Sequence, residues 1–393
     1  MKVVIKKRNL SFSKEVFICF LLILPFMKPN GLPHVSPLLN DLYTVLMVAS
    51  FSVMMLKVIR RHVRLNMYIY LLAALMGWLV VRTFFSGGQT GPLLEITMRI
   101  VGLSILIQLY SKKIPTLIRS FFINCELIIY LNFICLLLFP HGMYVSSQNG
   151  NRNNWLLGYD NHWFIVYFGA CFILICYSYY YDSIVRPLLL FLVIHVSSVI
   201  VMSGAIIIGL LVIDIIWLFR IYKLPMFSYR TIWIATIIIN LLVLTIGSSG
   251  IIDFIAYTLL RKSGTALLSR RRIWETTLLS IRNHFLLGVG RPVTADRIVL
   301  YHNRHASNAH NFFLEIFYEG GLVAMVLFSS IVVFAGKQIK RYADNIIVRY
   351  LLIALLACTV TGAIDSFLED RGYMFFALLS FASIAEMFSK KRQ

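Results

Sequence analysis

Apolar residues along this chain do not alternate with polar ones. They run in long blocks between short polar or basic breaks. A helix crossing a bilayer needs roughly 20 such residues, and twelve blocks reach or approach that length. They lie near 15–30, 39–58, 65–85, 92–110, 119–139, 161–181, 186–202, 204–222, 230–249, 320–336, 346–366 and 372–389. Only Ser203-Gly204 separates the seventh from the eighth, which predicts a helical hairpin. No internal repeat and no low-complexity stretch interrupts the series. The pattern therefore predicts one polytopic membrane domain over residues 1–393, with a single elaborated loop at 250–319.

Composition narrows the class. Of the 393 residues 59% are hydrophobic and 14% charged, with a mean hydropathy of +0.79, whereas soluble domains carry about 25% charged residues. A cytosolic enzyme, a disordered tail and a secreted disulfide scaffold are excluded, leaving an all-α membrane protein. Twelve spans would use about 240 residues, so twelve is a ceiling that the composition just reaches. The six cysteines all fall inside apolar runs, and none has zinc-like spacing, so neither a disulfide framework nor a metal site is expected. The apolar run Cys19–Met27 is not followed by a small-residue cleavage site, so the first span is expected to remain as an anchor.

The net charge of +20 is mostly a matter of sidedness. Alternate breaks hold 23 basic residues, among them Lys57, Arg60, Lys112, Arg186, Arg220, Lys337 and Lys340. The opposite short segments hold five, namely Lys28, Arg82, Arg99, Arg152 and Arg371. By the positive-inside rule the richer side, with both termini, is cytoplasmic. The remaining nine basic residues stand between about 250 and 309 on the outer side, where loops of this length escape the rule. Within that loop, Ile273, Trp274, Thr277, Leu278, Ile281 and Leu286 mark one helical face, ended by Gly288-Val289-Gly290. The loop reads as helices lying on the outer membrane surface beneath a polar cleft.

Three groups of residues could carry chemistry. Asn311, Glu315 and Glu319 recur at i, i+4 and i+8, one polar stripe on an otherwise apolar helix. His310 precedes that helix, where the macrodipole disfavours added positive charge, so a neutral imidazole could act as a general base. A histidine resting among headgroups explains the residue equally well. Arg270, Arg271 and Arg272, with Arg282, Arg291 and Arg297 beyond, suit a diphosphate because guanidinium binds phosphate through paired N–H groups. Attraction to anionic lipid headgroups is the competing reading. The loop Pro140–Asn161, with Arg152 and the run NRNNWLLGYDN, offers a sugar-contacting surface, or plain turn chemistry. Arg270, Arg291, Arg272, Arg152, Glu315 and Asn311 form the candidate substrate-binding set. Asp214 within the eighth span is a further functional candidate by its position alone, although it stands only six residues before Arg220. Glu126 and Arg119 also fall near a span end. No Walker-type loop, HExxH or GxSxG is present, which argues against an ATP-driven machine or zinc protease.

These residues resemble the O-antigen ligase and polymerase superfamily of bacterial envelopes, in order from Ser203 to Gly321. Ser203-Gly204-Ala205 opens a span, and Arg270-Arg271-Arg272-Ile273-Trp274 is similar to the family's R-x-x-x-W. Leu286-Leu287-Gly288-Val289-Gly290 is similar to its LLGxG turn, and Ala309-His310-Asn311-Phe312-Phe313-Leu314 to its AHNxxL element, with Glu319-Gly320-Gly321-Leu322 following. The resemblance implies about twelve transmembrane helices in a C-type glycosyltransferase-like architecture, seated in the cytoplasmic (inner) membrane with the active site on the extracytoplasmic face. It implies inverting transfer between undecaprenyl diphosphate-linked glycans, a donor and an acceptor, without metal or other cofactor. Membrane lipids are implied partners, a chain-length regulator protein is a candidate one, and nucleic acid is not. Carried onto this chain, His310 becomes the base and Arg270 a diphosphate ligand. Many relatives place an arginine directly after the serine of the first element; here that position is Gly204, and Arg291 is expected to supply the second guanidinium. The short chain and the sugar-ready loop favour a polymerase of capsule, exopolysaccharide or O-antigen repeat units. A ligase joining glycan to a lipid A core is the runner-up. A transporter would explain twelve spans equally well, but few ionisable residues lie in the spans and no matching broken helices appear in two halves.

Overall fold

The computed structural model describes residues 13–146, 152–246, 265–302, 308–368 and 372–389. The chain termini, the stretch 247–264 with Asp253, Arg261, Lys262 and Gly264, and Asn149, Arg304 and Arg371 lie outside them. So do the side chains of Arg152 and residues 265–269.

Over the described residues, every predicted apolar block corresponds to a helix. These are α1 (Lys14–Ile23), continued by a 3-10 turn at Leu24–Met27, α2 (Pro37–Arg60), α3 (Met67–Phe85), α4 (Thr90–Leu109) and α5 (Ile114–Leu138). After a small sheet come α6 (Phe164–Tyr181), α7 (Val185–Val201), α8 (Gly204–Leu218) and α9 (Tyr229–Ile246). The loop carries α10 (Thr265–Asn283) and α11 (Thr294–Tyr301), and the chain closes with α12 (Phe312–Lys340), α13 (Ile346–Gly362) and α14 (Gly372–Ser383). Six helical stretches are long and apolar enough to cross a membrane, and five other apolar helices are shorter. The all-α polytopic reading holds.

Polar side chains begin these helices where expected. Ser36, Asn66, Asn311 and Asn345 each accept a hydrogen bond from a first-turn amide, satisfying one of the donors a helix start leaves open. Burial then sorts the bundle. The centre is built from α4, α6, α13 and α14; every described side chain of α14 is buried. Helices α2, α7 and α9 stand at the edge with large apolar side chains outward, such as Leu38, Val45, Val199 and Leu241. This inversion of the soluble pattern is what lipid contact requires. At one end of the bundle the breaks are cross-tied: Asn66 to Ser383, Asn345 to the Phe388 carbonyl, Arg349 to the Tyr222 carbonyl. The opposite end carries the loops.

Three features differ from the sequence reading. The segment read as the loop Pro140–Asn161 contains a three-stranded antiparallel sheet, β1 (Tyr144–Ser146), β2 (Arg152–Trp155) and β3 (Gly158–Tyr159), with Tyr144 opposite Asn154 and Asn154 opposite Tyr159. On α10 the buried face is Ile273, Trp274, Thr277 and Ile281, whereas Leu278 and, beyond the helix, Leu286 are exposed. Apolar residues also occur singly on exposed helix faces, so hydrophobicity alone overstates the inner face. Finally, the polar stripe and the tenth span belong to one helix, α12, interrupted at Gly321 (φ 64°, ψ −161°).

That interruption explains why two glycine elements recur together. Gly288, Gly290 and Gly321 all take positive φ, which glycine adopts at little cost. The Val289 and Gly290 amides donate to the Tyr318 and Glu319 carbonyls at 2.8 Å, and Leu322 N–H donates to the Phe285 carbonyl. Trp78 Nε1 on α3 donates to the Gly320 carbonyl at 2.8 Å. Groups freed by the helix break thus find partners in the glycine turn, as an apolar environment demands. A Cβ on Gly288 would stand 2.5 Å from the Gly321 nitrogen, so the turn docks only because both sites lack a side chain.

Candidate active site

The loop-bearing end assembles its polar residues around the start of α12. Asn311 is the helix cap: its Oδ1 accepts from Phe313 and Leu314, and its Nδ2 donates to Asn240 and to the Ala363 carbonyl. It is fully buried, so its side chain ties α9, α12 and the end of α13 together.

Immediately before it, His310 adopts φ 45°, an uncommon backbone conformation for a non-glycine residue. The neighbouring bonds hold it there. Asn308 Oδ1 accepts the His310 amide at 2.8 Å. The Ala309 amide donates to Glu315 Oε2 at 2.7 Å, and the Ala309 carbonyl accepts from Trp274 Nε1 at 3.0 Å. Glu315 is fixed in turn by Arg297, which also pairs with Glu319 (2.5 and 2.7 Å); all three side chains are buried. Glu315 and Glu319 therefore serve a buried arginine and the backbone beside His310.

The His310 imidazole, partly exposed, meets Asp365 with Nδ1 3.2 Å from Oδ1. Asp365 lies in the break between α13 and α14 and is 1% exposed. Burial would raise its carboxyl, but the hydrogen bond and charge of His310, then the charges of His162 and Arg270, outweigh this and hold it well below the usual carboxylate range. An ionised carboxylate only accepts hydrogen bonds, so Nδ1 donates; in the neutral imidazole Nε2 is then the acceptor, and in the imidazolium both nitrogens donate. Arg270 Nη1 donates to the Ile364 carbonyl at 2.8 Å, directly beside Asp365. Arg270 and Trp274, one turn apart on α10, thus brace the two loops that carry Asp365 and His310.

The model of the O-antigen ligase family matches residues 184–329, from α7 to the middle of α12. The match covers less than half of the chain, and over it the sequence is similar to that family. It supports an enzyme of the ligase or polymerase type. No curated protein matches the chain.

The residues singled out in the sequence do not all converge. Arg270 and His310 come together. Arg291 is buried beside Glu319, nine residues along from His310; its amide is held by Thr83 Oγ1 (2.9 Å), and its Nη1 meets no acceptor among the described residues. Arg272 is exposed on the outer face of α10, and Arg152 stands in β2 with its side chain outside the described residues. Asp214 faces His195 of the adjacent helix at 3.1 Å, and Glu126 accepts from Arg186 (3.1 Å), so both have partners within the bundle. Among the described residues no cluster of His, Cys, Asp and Glu could hold a metal.

Sequence reasoning missed Asp365, His162 and Asn308. Asp365 had been placed inside the eleventh span, where an ionisable residue is a functional candidate by default; the rule applied to Asp214 would have flagged it. His162 follows the segment Pro140–Asn161, whose Asn161 Oδ1 accepts from Ser203 Oγ at 2.9 Å. Both Asp365 and His162 lie outside the matched region.

Proposed function

We propose that the chain polymerises polysaccharide repeat units by inverting, metal-independent transfer from an undecaprenyl diphosphate-linked glycan. The observation that carries this reading is the His310–Asp365 pair with Arg270 beside it. His310 Nε2 takes the proton of the acceptor hydroxyl as that oxygen bonds to the anomeric carbon. The bond from that carbon to the diphosphate breaks, and the diphosphate leaves on its carrier. Asp365 fixes the imidazole tautomer and stabilises the imidazolium that forms, the division of labour of a catalytic triad. Arg270 stabilises charge growing on the leaving group without having to reorganise, and Arg291, with a buried unpaired donor, is the second diphosphate ligand. Glu315 and Asn311 act by positioning the loop. Sidedness follows from the basic residues: both termini are cytoplasmic, and the site faces outward in the inner membrane.

A ligase function is the second reading, favoured by the description of the matched family. Proteoliposomes given the purified chain and lipid-linked repeat units separate the two. Chains longer than one repeat support polymerisation. Transfer only to an added lipid A core acceptor supports ligation, and turnover of neither overturns both.

A further inference from the structure

We propose that the outer face of the α7–α8 hairpin is a contact between two copies of the chain, joined around His195 and Asp214. It rests on these helices being membrane spans and not on the reaction the chain carries out.

The pair stands where a lone pair is costly. His195 lies ten residues along α7 from Val185, and Asp214 ten residues along α8 from Gly204. Each is thus about 15 Å from that helix start, inside a hydrocarbon layer about 30 Å thick. Their side chains are 28% and 36% exposed. The residues three before and four after each of them are exposed as well, Leu192 and Val199 on α7, Leu211 and Leu218 on α8. That spacing marks one side of a helix, so the pair sits at the middle of an apolar surface turned away from the bundle. Ionisable side chains within spans almost always face protein or a water-filled cavity.

The bonds within the pair leave it unfinished. His195 Nδ1 lies 2.9 Å from the Phe191 carbonyl, and Nε2 lies 3.1 Å from Asp214 Oδ2. A carbonyl only accepts, so Nδ1 carries a proton, and a second proton lies between Nε2 and the carboxyl group. On either atom it leaves the pair neutral overall. Asp214 Oδ1 meets no donor among the described residues, and hydrocarbon offers it none.

A second copy does. The two residues touch, so they stand at one depth. A two-fold axis along the membrane normal, passing beside the hairpin, therefore sets His195 of each copy against Asp214 of the other. The surface is complementary to itself in charge, as a symmetric dimer contact must be. The flanking Leu192, Val199, Leu211 and Leu218 have the spacing of a helix–helix seam, in which one central polar position fixes register.

The test uses the full chain in a bacterial inner membrane. Val199→benzoylphenylalanine and Leu211→benzoylphenylalanine are each expressed as a mixture of isotopically light and heavy copies, irradiated, and their adducts mapped by mass spectrometry. Light–heavy adducts joining α7 and α8 of two copies are expected. Adducts only to lipid, to another membrane protein, or within one copy (residues 247–264 included) overturn the proposal. This probe leaves the pair untouched, so it decides even where a charge variant fails to fold. Förster transfer between labelled copies, diluted with lipid in liposomes, then reads the strength of association. His195→Asp and Asp214→His should each associate with themselves about tenfold more weakly, the scale of interhelical hydrogen bonds in membranes, with melting temperature checked in parallel. Mixing the two variants should restore association, because the histidines of one copy then meet the aspartates of the other. Undiminished self-association of both variants, or no recovery on mixing the folded variants, overturns the pairing.

Discussion

Arg297 and His310 both meet carboxylates near the start of α12, yet their surroundings differ. Arg297 is 2% exposed and shared between two buried glutamates. His310 meets one aspartate through Nδ1, and its side chain remains 21% exposed. The first cluster has its charges directed at one another and at the Ala309 amide. The second engages one ring nitrogen and leaves the ring partly exposed. Charged residues of the same kinds thus divide into scaffold and chemistry by whether their polar atoms are already engaged, a distinction that spacing along a helix does not contain.

The largest effect should come from the open cluster. His310→Ala is expected to lower transfer by about 10²- to 10⁴-fold or more, the usual contribution of a general base, while the chain stays folded. Near-normal glycan length from lipid-linked repeats in proteoliposomes would remove the base assignment. Arg270→Lys keeps the charge but loses the planar fork and should also fail; full activity would return that arginine to headgroup contact.

Arg297→Met should act through folding. It leaves two buried carboxylates without their cation, a loss on the order of 3–5 kcal/mol, read as a lower melting temperature and poor expression. Replacing Arg297, Glu315 and Glu319 together with apolar residues should restore much of the stability but not the activity, because the Ala309 amide loses its acceptor. A stable, inactive Arg297→Met protein would erase the contrast between the clusters.

Asp365→Asn should cost less than His310→Ala, about 10²-fold in kcat, since Asn still accepts from Nδ1 but carries no charge. The depressed carboxyl of Asp365 also predicts a sign for pH. Its stabilising contribution is complete above the unfolded value of about 3.9 and is lost as pH falls through the lower folded value, so Asp365→Asn should flatten that acid limb in thermal melts. The smallest effects are expected from Arg272→Gln, within about twofold because surface charges contribute little, and from EDTA, which should leave transfer by the purified enzyme intact. A divalent ion that restored lost activity would overturn the metal-independent mechanism.

Much of the fold was legible because lipid imposes a coarse code, in which apolar blocks of a set length mark the helices. Arg270 and His310 were legible through motifs that hold them on neighbouring elements. Asp365 was hidden because it sits at a block edge that boundary uncertainty assigned to a span. Arg297 stood in the sequence as one more phosphate-binding candidate, and only packing reveals its two glutamates. Arg272 was overvalued for the opposite reason: three adjacent arginines look alike in a row, but 3.6 residues per turn point only one of them toward the Ile364 carbonyl.

The glycine interlock has a mechanical consequence. Above Gly321, α12 hangs from α3 and the turn at Val289 and Gly290; below it, the same helix is an ordinary membrane span. Spans tilt to match bilayer thickness, and a continuous helix would transmit that tilt to its tip. A joint at Gly321, with its backbone groups partnered from outside the helix, lets the lower segment lean while His310 at its head keeps station.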